Sequence, residues 1–402
     1  MAFEDLVSLL TPASTKIVML VMDGLGGLPM QPGGLTELET AKTPNMDRLA
    51  SEGTVGLHIP IDYGVTPGSG PAHFGLFGYD PVKTEVGRGV LEAFGVGMVV
   101  RRGDVAARGN FCTIDAEGKI SDRRAGRIST EEALPIVERL KAIQFPGVEI
   151  EVKHVKEYRF AVVMRGEGLV PDLEETDPQR TGVAPLPVVA KTPQAEKAAQ
   201  LFNRWVEEAR KILASEPKAN CLTLRGFATD PALPSFKDRY GLRAACIAVY
   251  PMYRGLAQLV GMDVHNFPGE YPEDEFAALG KVWGDYDFFF VHIKKTDSNG
   301  EDGNFDGKVH VIETVDEALP KLLELKPDVL IITGDHSTPC KLKSHSWHPV
   351  PLLLWAPATV RPDDATTFGE RACMRGGLGT FNALEAMPLA LAHAQRLTKF
   401  GA

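Results

Sequence analysis

Three short apolar runs along the chain each give way to acidic, metal-ligating side chains. Lys16-Ile17-Val18-Met19-Leu20-Val21-Met22 ends in Asp23. Asp287-Phe288-Phe289-Phe290-Val291-His292-Ile293 leads through Lys294-Lys295-Thr296 to Asp297. Val329-Leu330-Ile331-Ile332-Thr333 ends in Gly334-Asp335-His336. Runs of this length without polar alternation predict strands buried on both faces, as in parallel sheets. Cys221-Leu222-Thr223-Leu224, Ala245-Cys246-Ile247-Ala248-Val249 and Pro351-Leu352-Leu353-Leu354-Trp355 predict further strands. Helical patterns lie between them. One spans 43–50 with Pro44 at its start, and others span 194–213, 252–260 and about 307–325. Alternating strand and helix predicts an α/β fold with a mostly parallel sheet flanked by helices.

The texture changes at about residue 104. Arg108 to Asp115 and Glu149 to Val152 alternate apolar and polar, as strands with one wet face do. Residues 128–143 predict a helix capped by Ser129 or Thr130, and 158–165 another strand. The Pro-rich stretch Val183-Ala184-Pro185-Leu186-Pro187 closes the region. The expected organisation is a core formed by 1–105 and 187–402, with 106–186 inserted as a smaller α+β lid domain. A chain of 402 residues is long enough for both.

Composition narrows the partners. The net charge of −10 argues against nucleic acid and membrane surfaces, and any anionic substrate needs a local basic pocket. Five scattered cysteines make neither a disulfide framework nor a Cys-x-x-Cys site, and the acidic N-terminus lacks a signal-peptide layout. A cytoplasmic protein is expected. No apolar run approaches the ~20 residues of a membrane span. The sequence leaves oligomeric state open, a homo-oligomer included.

In open α/β sheets, chemistry gathers at the carboxyl ends of the strands. Asp23, Asp297 and Asp335 each fall there. His336 and His345 follow the last strand, and Glu301 lies four residues past Asp297. Carboxylate and imidazole donors in this number suffice for two divalent cations, which can clamp the entering and leaving oxygens of a phosphoryl transfer. The Gly-rich turn after Asp23 lacks dinucleotide-binding spacing, and the acidic loop 297–302 lacks EF-hand spacing. Pro67-Gly68-Ser69-Gly70-Pro71 predicts a tight turn with Ser69 exposed at its apex. A helix opening at Ala72 would then offer its amides to a phosphate. Arg88 is expected in a flexible basic loop. The insertion holds Arg123, Arg124, Arg127, Arg159 and Arg180, and Arg225 ends a later strand. The guanidinium fork suits carboxylate and phosphate.

The chain resembles the archaeal-type 2,3-bisphosphoglycerate-independent phosphoglycerate mutases of the alkaline phosphatase superfamily. The likeness rests on Met22-Asp23-Gly24-Leu25-Gly26, Pro67-Gly68-Ser69 with Ala72-His73, and Asp122-Arg123-Arg124-Ala125-Gly126-Arg127. It also rests on Thr176-Asp177-Pro178, Leu224-Arg225-Gly226, Lys295-Thr296-Asp297 and Gly334-Asp335-His336-Ser337-Thr338-Pro339 with His345. It implies an alkaline-phosphatase-like core and an isomerase of glycolysis and gluconeogenesis that interconverts 3-phosphoglycerate and 2-phosphoglycerate without 2,3-bisphosphoglycerate. Ser69 would be the nucleophile. Asp23, Ser69, Asp335 and His336 would hold one metal, and Asp297 and His345 the other. Relatives carry a histidine where this chain has Glu301. A carboxylate there leans the expectation to Mn²⁺, with Mg²⁺, Co²⁺ or Zn²⁺ as alternatives. Arg123, Arg124, Arg127 and Arg225 would hold the phosphate and carboxylate of a small phosphorylated sugar acid. The same core with water as acceptor would make a phosphatase, phosphonatase or sulfatase.

Overall fold

In a computed structural model, which describes residues 3–84 and 86–401, the chain folds into two compact units. The first comprises Met1–Glu85, Pro234–Tyr250 and Val260–Ala402, and the second Val86–Leu233 and Pro251–Leu259. The strands in chain order are β1 (Ile17–Met22), β2 (Thr54–Ile59), β3 (Val105–Ile114), β4 (Ile120–Asp122), β5 (Glu149–Lys156), β6 (Arg159–Arg165) and β7 (Cys221–Ala228). They continue with β8 (Ala244–Ala248), β9 (Asp263–Val264), β10 (Phe288–Ile293), β11 (Val329–Thr333), β12 (Val350–Trp355) and β13 (Gly379–Asn382).

The first unit is built on an eight-stranded sheet in the order β13-β2-β12-β11-β1-β10-β8-β9. Only β12 runs against the rest. Phe289, Val291, Val18, Leu20, Leu330 and Ile332 face one side. There they pack on Phe276, Leu279, Ile312, Val315 and Leu319 from the helices Pro272–Lys281 and Phe305–Leu323. The alternate residues face the other side, where Phe290 meets Phe77 edge-on and Phe288 meets Phe236, each pair with ring centroids 4.9 Å apart. Burying each large side chain contributes roughly 1.5–3 kcal/mol. A one-residue slip would exchange the two faces, which fixes the register firmly. That register sets the site. Met22 pairs with Ile293 and Val21 with Thr333, which brings Asp23 level with Lys294 and Asp335 at one sheet edge.

The second unit is an antiparallel sheet, β4-β3-β6-β5, with β7 also paired to β3. Helices Thr130–Leu140 and Glu196–Leu213 cover one face, where Phe202 and Trp205 join Phe111 and Phe160. Ser129 caps the first of these helices in a capping box with Glu132. This unit is wider than the 106–186 read from the sequence, for two reasons. Strand β7 pairs with β3 from more than a hundred residues away, and the helix Arg88–Gly95 belongs to the same unit. Arg88 therefore opens a helix and does not lie in a flexible loop. Arg225 lies within β7, not at its end. None of the described helices is long and apolar enough to cross a membrane.

Candidate active site

The three strand-end acids meet in the first unit. Asp23, Asp335 and His336 are fully buried. His336 Nε2 stands 3.1 Å from Asp335 Oδ2, 3.4 Å from Asp23 Oδ1 and 3.2 Å from Ser69 Oγ. The other carboxylate oxygen of Asp335 accepts the Gly24 amide at 3.0 Å. Asp297 does not sit in a loop, as the sequence suggested, but in the first turn of the helix Lys295–Asp302. Its Oδ1 lies 3.5 Å from His345 Nε2, and His345 Nδ1 lies 2.9 Å from the Pro67 carbonyl and donates to it. The donor atoms fall into two groups, Asp23–Asp335–His336 and Asp297–His336–His345, with His336 common to both.

Ser69 is not exposed at an apex. It is the first residue of the helix Ser69–Leu76 and is 8% exposed, because Gly68 takes the N-cap position and the helix begins three residues earlier than expected. One turn on, His73 Nδ1 lies 2.8 Å from the Ser69 carbonyl and 3.2 Å from Asp335 Oδ2. The hydroxyl therefore sits where the free amides of a helix start meet the buried acids, a suitable place for a phosphate.

The hydrogen bonding of Thr338 decides which way His336 points its lone pair. The Thr338 hydroxyl donates to Asp297 Oδ1 at 2.7 Å and lies 3.0 Å from His336 Nδ1. Asp297 is held down at about 2. Burial and the neighbouring Asp23 oppose ionisation there, but His345 and Lys294 outweigh them. An ionised carboxylate only accepts, so the single hydroxyl proton goes to Asp297 and His336 Nδ1–H donates to Thr338. His336 Nε2 is then a lone pair facing two carboxylate oxygens and a hydroxyl. Such a convergence of acceptors fits a cation, and mixed oxygen and nitrogen donors suit Mn²⁺ among several divalent metals.

Electrostatics point the same way. Burial alone would raise Asp23, but Lys294, His292 and His336 hold it well below the usual carboxylate range. The Lys294 ammonium lies 2.9 Å from Asp23 Oδ2 and 2.5 Å from Asp297 Oδ2, a cationic tie between the two donor groups. Burial opposes a charge on His345, but Asp297 and the Pro67 carbonyl raise it to about 9. A proton on its Nε2 stands where a divalent cation would displace it.

The remaining predicted residues lie elsewhere. Glu301 does not join either donor group. Its carboxylate is 4.0 Å from His345 Nε2 and its side chain is 58% exposed. In the second unit, Arg123 makes a two-pronged pair with Asp177 at 2.8 and 3.2 Å. Arg225 Nε bonds Glu175 at 3.0 Å, and its Nη1 lies 3.7 Å from the same Asp177. Arg124 and Arg127 are exposed. Sequence reasoning assigned no role to Lys294, Thr338 or the fully buried Lys308. Lys294 was within reach, since it sits between a strand and Asp297. Lys308 gave no local signal.

A mostly parallel α/β sheet with paired carboxylate and imidazole clusters at its carboxyl edge, and a serine at a helix start beside them, defines a protein built around a candidate two-metal centre. Known proteins make the class specific. A profile of the 2,3-bisphosphoglycerate-independent phosphoglycerate mutase family matches residues 50–219. A probable 2,3-bisphosphoglycerate-independent phosphoglycerate mutase of Aquifex aeolicus is 52% identical over 408 residues, covering 99% of this chain and all of the relative. A solved protein of Pyrococcus horikoshii superposes with a TM-score of 0.84 at 31% identity, over 96% of this chain and 99% of that one. The cofactor-independent phosphoglycerate mutase of Thermoplasma acidophilum gives 0.71 at 30% identity, over 94% and 100%. The chain belongs to the 2,3-bisphosphoglycerate-independent phosphoglycerate mutase family.

Proposed function

We propose that the protein interconverts 3-phosphoglycerate and 2-phosphoglycerate through a phosphoryl group carried on Ser69, in glycolysis and gluconeogenesis in the cytoplasm. The observation that carries this reading is Ser69 Oγ at 3.2 Å from His336 Nε2, at a helix start and beside Asp23 and Asp335. Asp23, Ser69, Asp335 and His336 would hold one divalent cation, and Asp297 and His345 the other, with Glu301 within reach at the rim. Mn²⁺ is the proposed metal. Bound there, the cations would lower the pKa of the serine hydroxyl and draw off charge from the transferring phosphoryl group.

The chain's own residues do the rest. Ser69 Oγ attacks phosphorus in line, the Ser69 O–P bond forms, and the bond to the substrate oxygen breaks. The amides opening the helix Ser69–Leu76 and the Lys294 ammonium face the phosphoryl oxygens. Arg123 and Arg225 of the second unit would hold the glycerate, with Arg124 and Arg127 as exposed contacts. Glycerate then presents its other hydroxyl, which takes the phosphoryl group back and frees Ser69. A retained hydroxyl acts at an effective molarity of ~10⁵–10⁸ M, far above water at about 55 M, so retention of glycerate separates a mutase from a phosphatase.

The test supplies 3-phosphoglycerate to Mn²⁺-loaded protein and measures 2-phosphoglycerate and inorganic phosphate in parallel. The expected result is 2-phosphoglycerate with little free phosphate and no requirement for 2,3-bisphosphoglycerate. Phosphate as the main product would replace the mutase with a phosphatase.

A further inference from the structure

Lys308 lies in the first turn of the helix Phe305–Leu323 and is fully buried. Its ammonium meets three backbone carbonyls, Gly24 at 2.8 Å, Thr338 at 2.9 Å and Gly26 at 3.1 Å. An ammonium has three protons, and here all three are used. Two of the acceptors belong to the loop after β1, one to three residues past Asp23. The third belongs to the loop after β11, two residues past His336. One side chain thus ties together the two loops that supply the Asp23–Asp335–His336 group.

The loops are already close. The Thr338 amide donates to Gly26 O at 3.0 Å, and Leu25 bridges to Ser337. Gly24 has φ +63°, and a Cβ there would stand 2.4 Å from Thr338 Oγ1. A Cβ on Gly26 would stand 1.9 Å from Ser337 Oγ. Backbone packed this tightly leaves carbonyls that water cannot reach, and each needs a donor. A second buried charge closes the arrangement. Glu37, also fully buried, accepts the Cys340 amide at 2.7 Å and the Leu28 amide at 3.2 Å, one from each loop. Glu37 gives Lys308 its largest compensating attraction. Cation and carboxylate thus grip the same two loops, one by their carbonyls and the other by their amides.

We propose that Lys308 is a positioning residue for the cation site, fixing the separation of Asp23 from His336 and thereby setting metal affinity. The inference rests on the metal reading of the site, and it goes beyond that reading by giving a role to a residue that touches neither metal donor nor substrate. A merely structural lysine would stabilise the fold and leave the affinity of the folded protein alone.

The experiment titrates Mn²⁺ into metal-free full-length protein and its Lys308→Met variant, with Ile312→Ala as a control. Ile312 lies on the same helix but packs in the sheet core. Lys308→Met is expected to weaken Mn²⁺ binding about 10–100-fold, the range for groups that orient metal ligands, while Ile312→Ala leaves it near wild type. Equal weakening by both, or none by Lys308→Met, overturns the proposal. If Lys308→Met does not fold, amide hydrogen exchange of wild-type protein decides. Mn²⁺ is expected to slow exchange in 24–28, 336–340 and 305–312 together, and slowing confined to the two loops would exclude the lysine. Wild-type protein that takes up no Mn²⁺ overturns the metal reading and this inference with it.

Discussion

The imidazoles of His336 and His345 lie face to face, with ring centroids 3.6 Å apart and planes inclined by 26°. The two rings have unequal duties. The single lone pair of His336, on Nε2, faces Asp23 and Asp335, whereas His345 Nε2 faces Asp297. His336→Ala is therefore expected to weaken the position beside Asp23 and Asp335, and His345→Ala the position beside Asp297, each variant keeping one tight Mn²⁺ per chain. Titration stoichiometry by calorimetry checks this, and loss of both positions in the His345→Ala variant would mean that the two cations do not bind independently.

Ser69→Ala removes the proposed acceptor of the phosphoryl group but little volume. The variant is expected to stay folded, bind Mn²⁺, form no acid-stable phosphoenzyme and lose several orders of magnitude in turnover. Activity above about a tenth of wild type, a loss of only ~1.4 kcal/mol, would mean another nucleophile acts.

Glu301 tests how far the proposed second cation position reaches. Its carboxylate stands at 4.0 Å from His345 Nε2, near enough to close on a bound ion by a change of rotamer. Glu301→Ala is expected to lower Mn²⁺ affinity at that position at least about 10-fold. An unchanged titration would leave Glu301 to solvent.

Arg123 is the proposed holder of glycerate. Arg123→Ala should slow isomerisation and raise the share of turnovers that end as inorganic phosphate, read from the parallel assay of both products. Lost activity with an unchanged phosphate share would remove Arg123 from retention.

Asp177 links Arg123 to pH. Burial pushes its carboxyl up, but the Arg123 hydrogen bond and the Gln179 amide pull it further down, below the ordinary value. A carboxyl lowered in the folded state stabilises above its unfolded pKa, about 3.9. That stabilisation is lost as pH falls through the folded value. Wild-type protein should therefore lose more stability than Asp177→Asn between about pH 5 and pH 2. Urea midpoints that fall in parallel for both would show that the pair adds nothing to folding.

Much of this site can be read in the sequence because its acids follow buried strands directly. The runs ending at Met22 and Thr333 are apolar enough to fix their faces, and a parallel sheet then brings Asp23 and Asp335 to one edge. His345 was found by its place before the next apolar run. What the sequence hides is the work of contacts between distant segments. Ser69 looks exposed because Pro and Gly flank it, yet helix Ser69–Leu76 and the acids bury it. Helix Arg88–Gly95 has glycines at both ends and reads as a loop, whereas in the fold it packs with β3 and the helix Pro251–Leu259. Lys308 sits in a helix where nothing nearby in sequence forecasts burial, and its three carbonyl partners lie hundreds of residues away or in a different loop. The limits of the second unit were missed for the same reason, since β7 joins β3 only through long-range pairing.

The reversed strand β12 has a consequence for how the site assembles. Because β12 returns antiparallel to β11, with Thr333 opposite Leu352, the segment between them leaves and re-enters at the same edge. A parallel successor would have carried the chain to the far edge through a crossover and allowed that segment one visit. Here one closed excursion delivers both His336 and His345. The ordering entropy of that excursion is limited, since loop-closure cost grows only as the logarithm of length. Pairing of β11 with β12 holds its two ends, so one strand pairing places both imidazoles proposed as metal ligands.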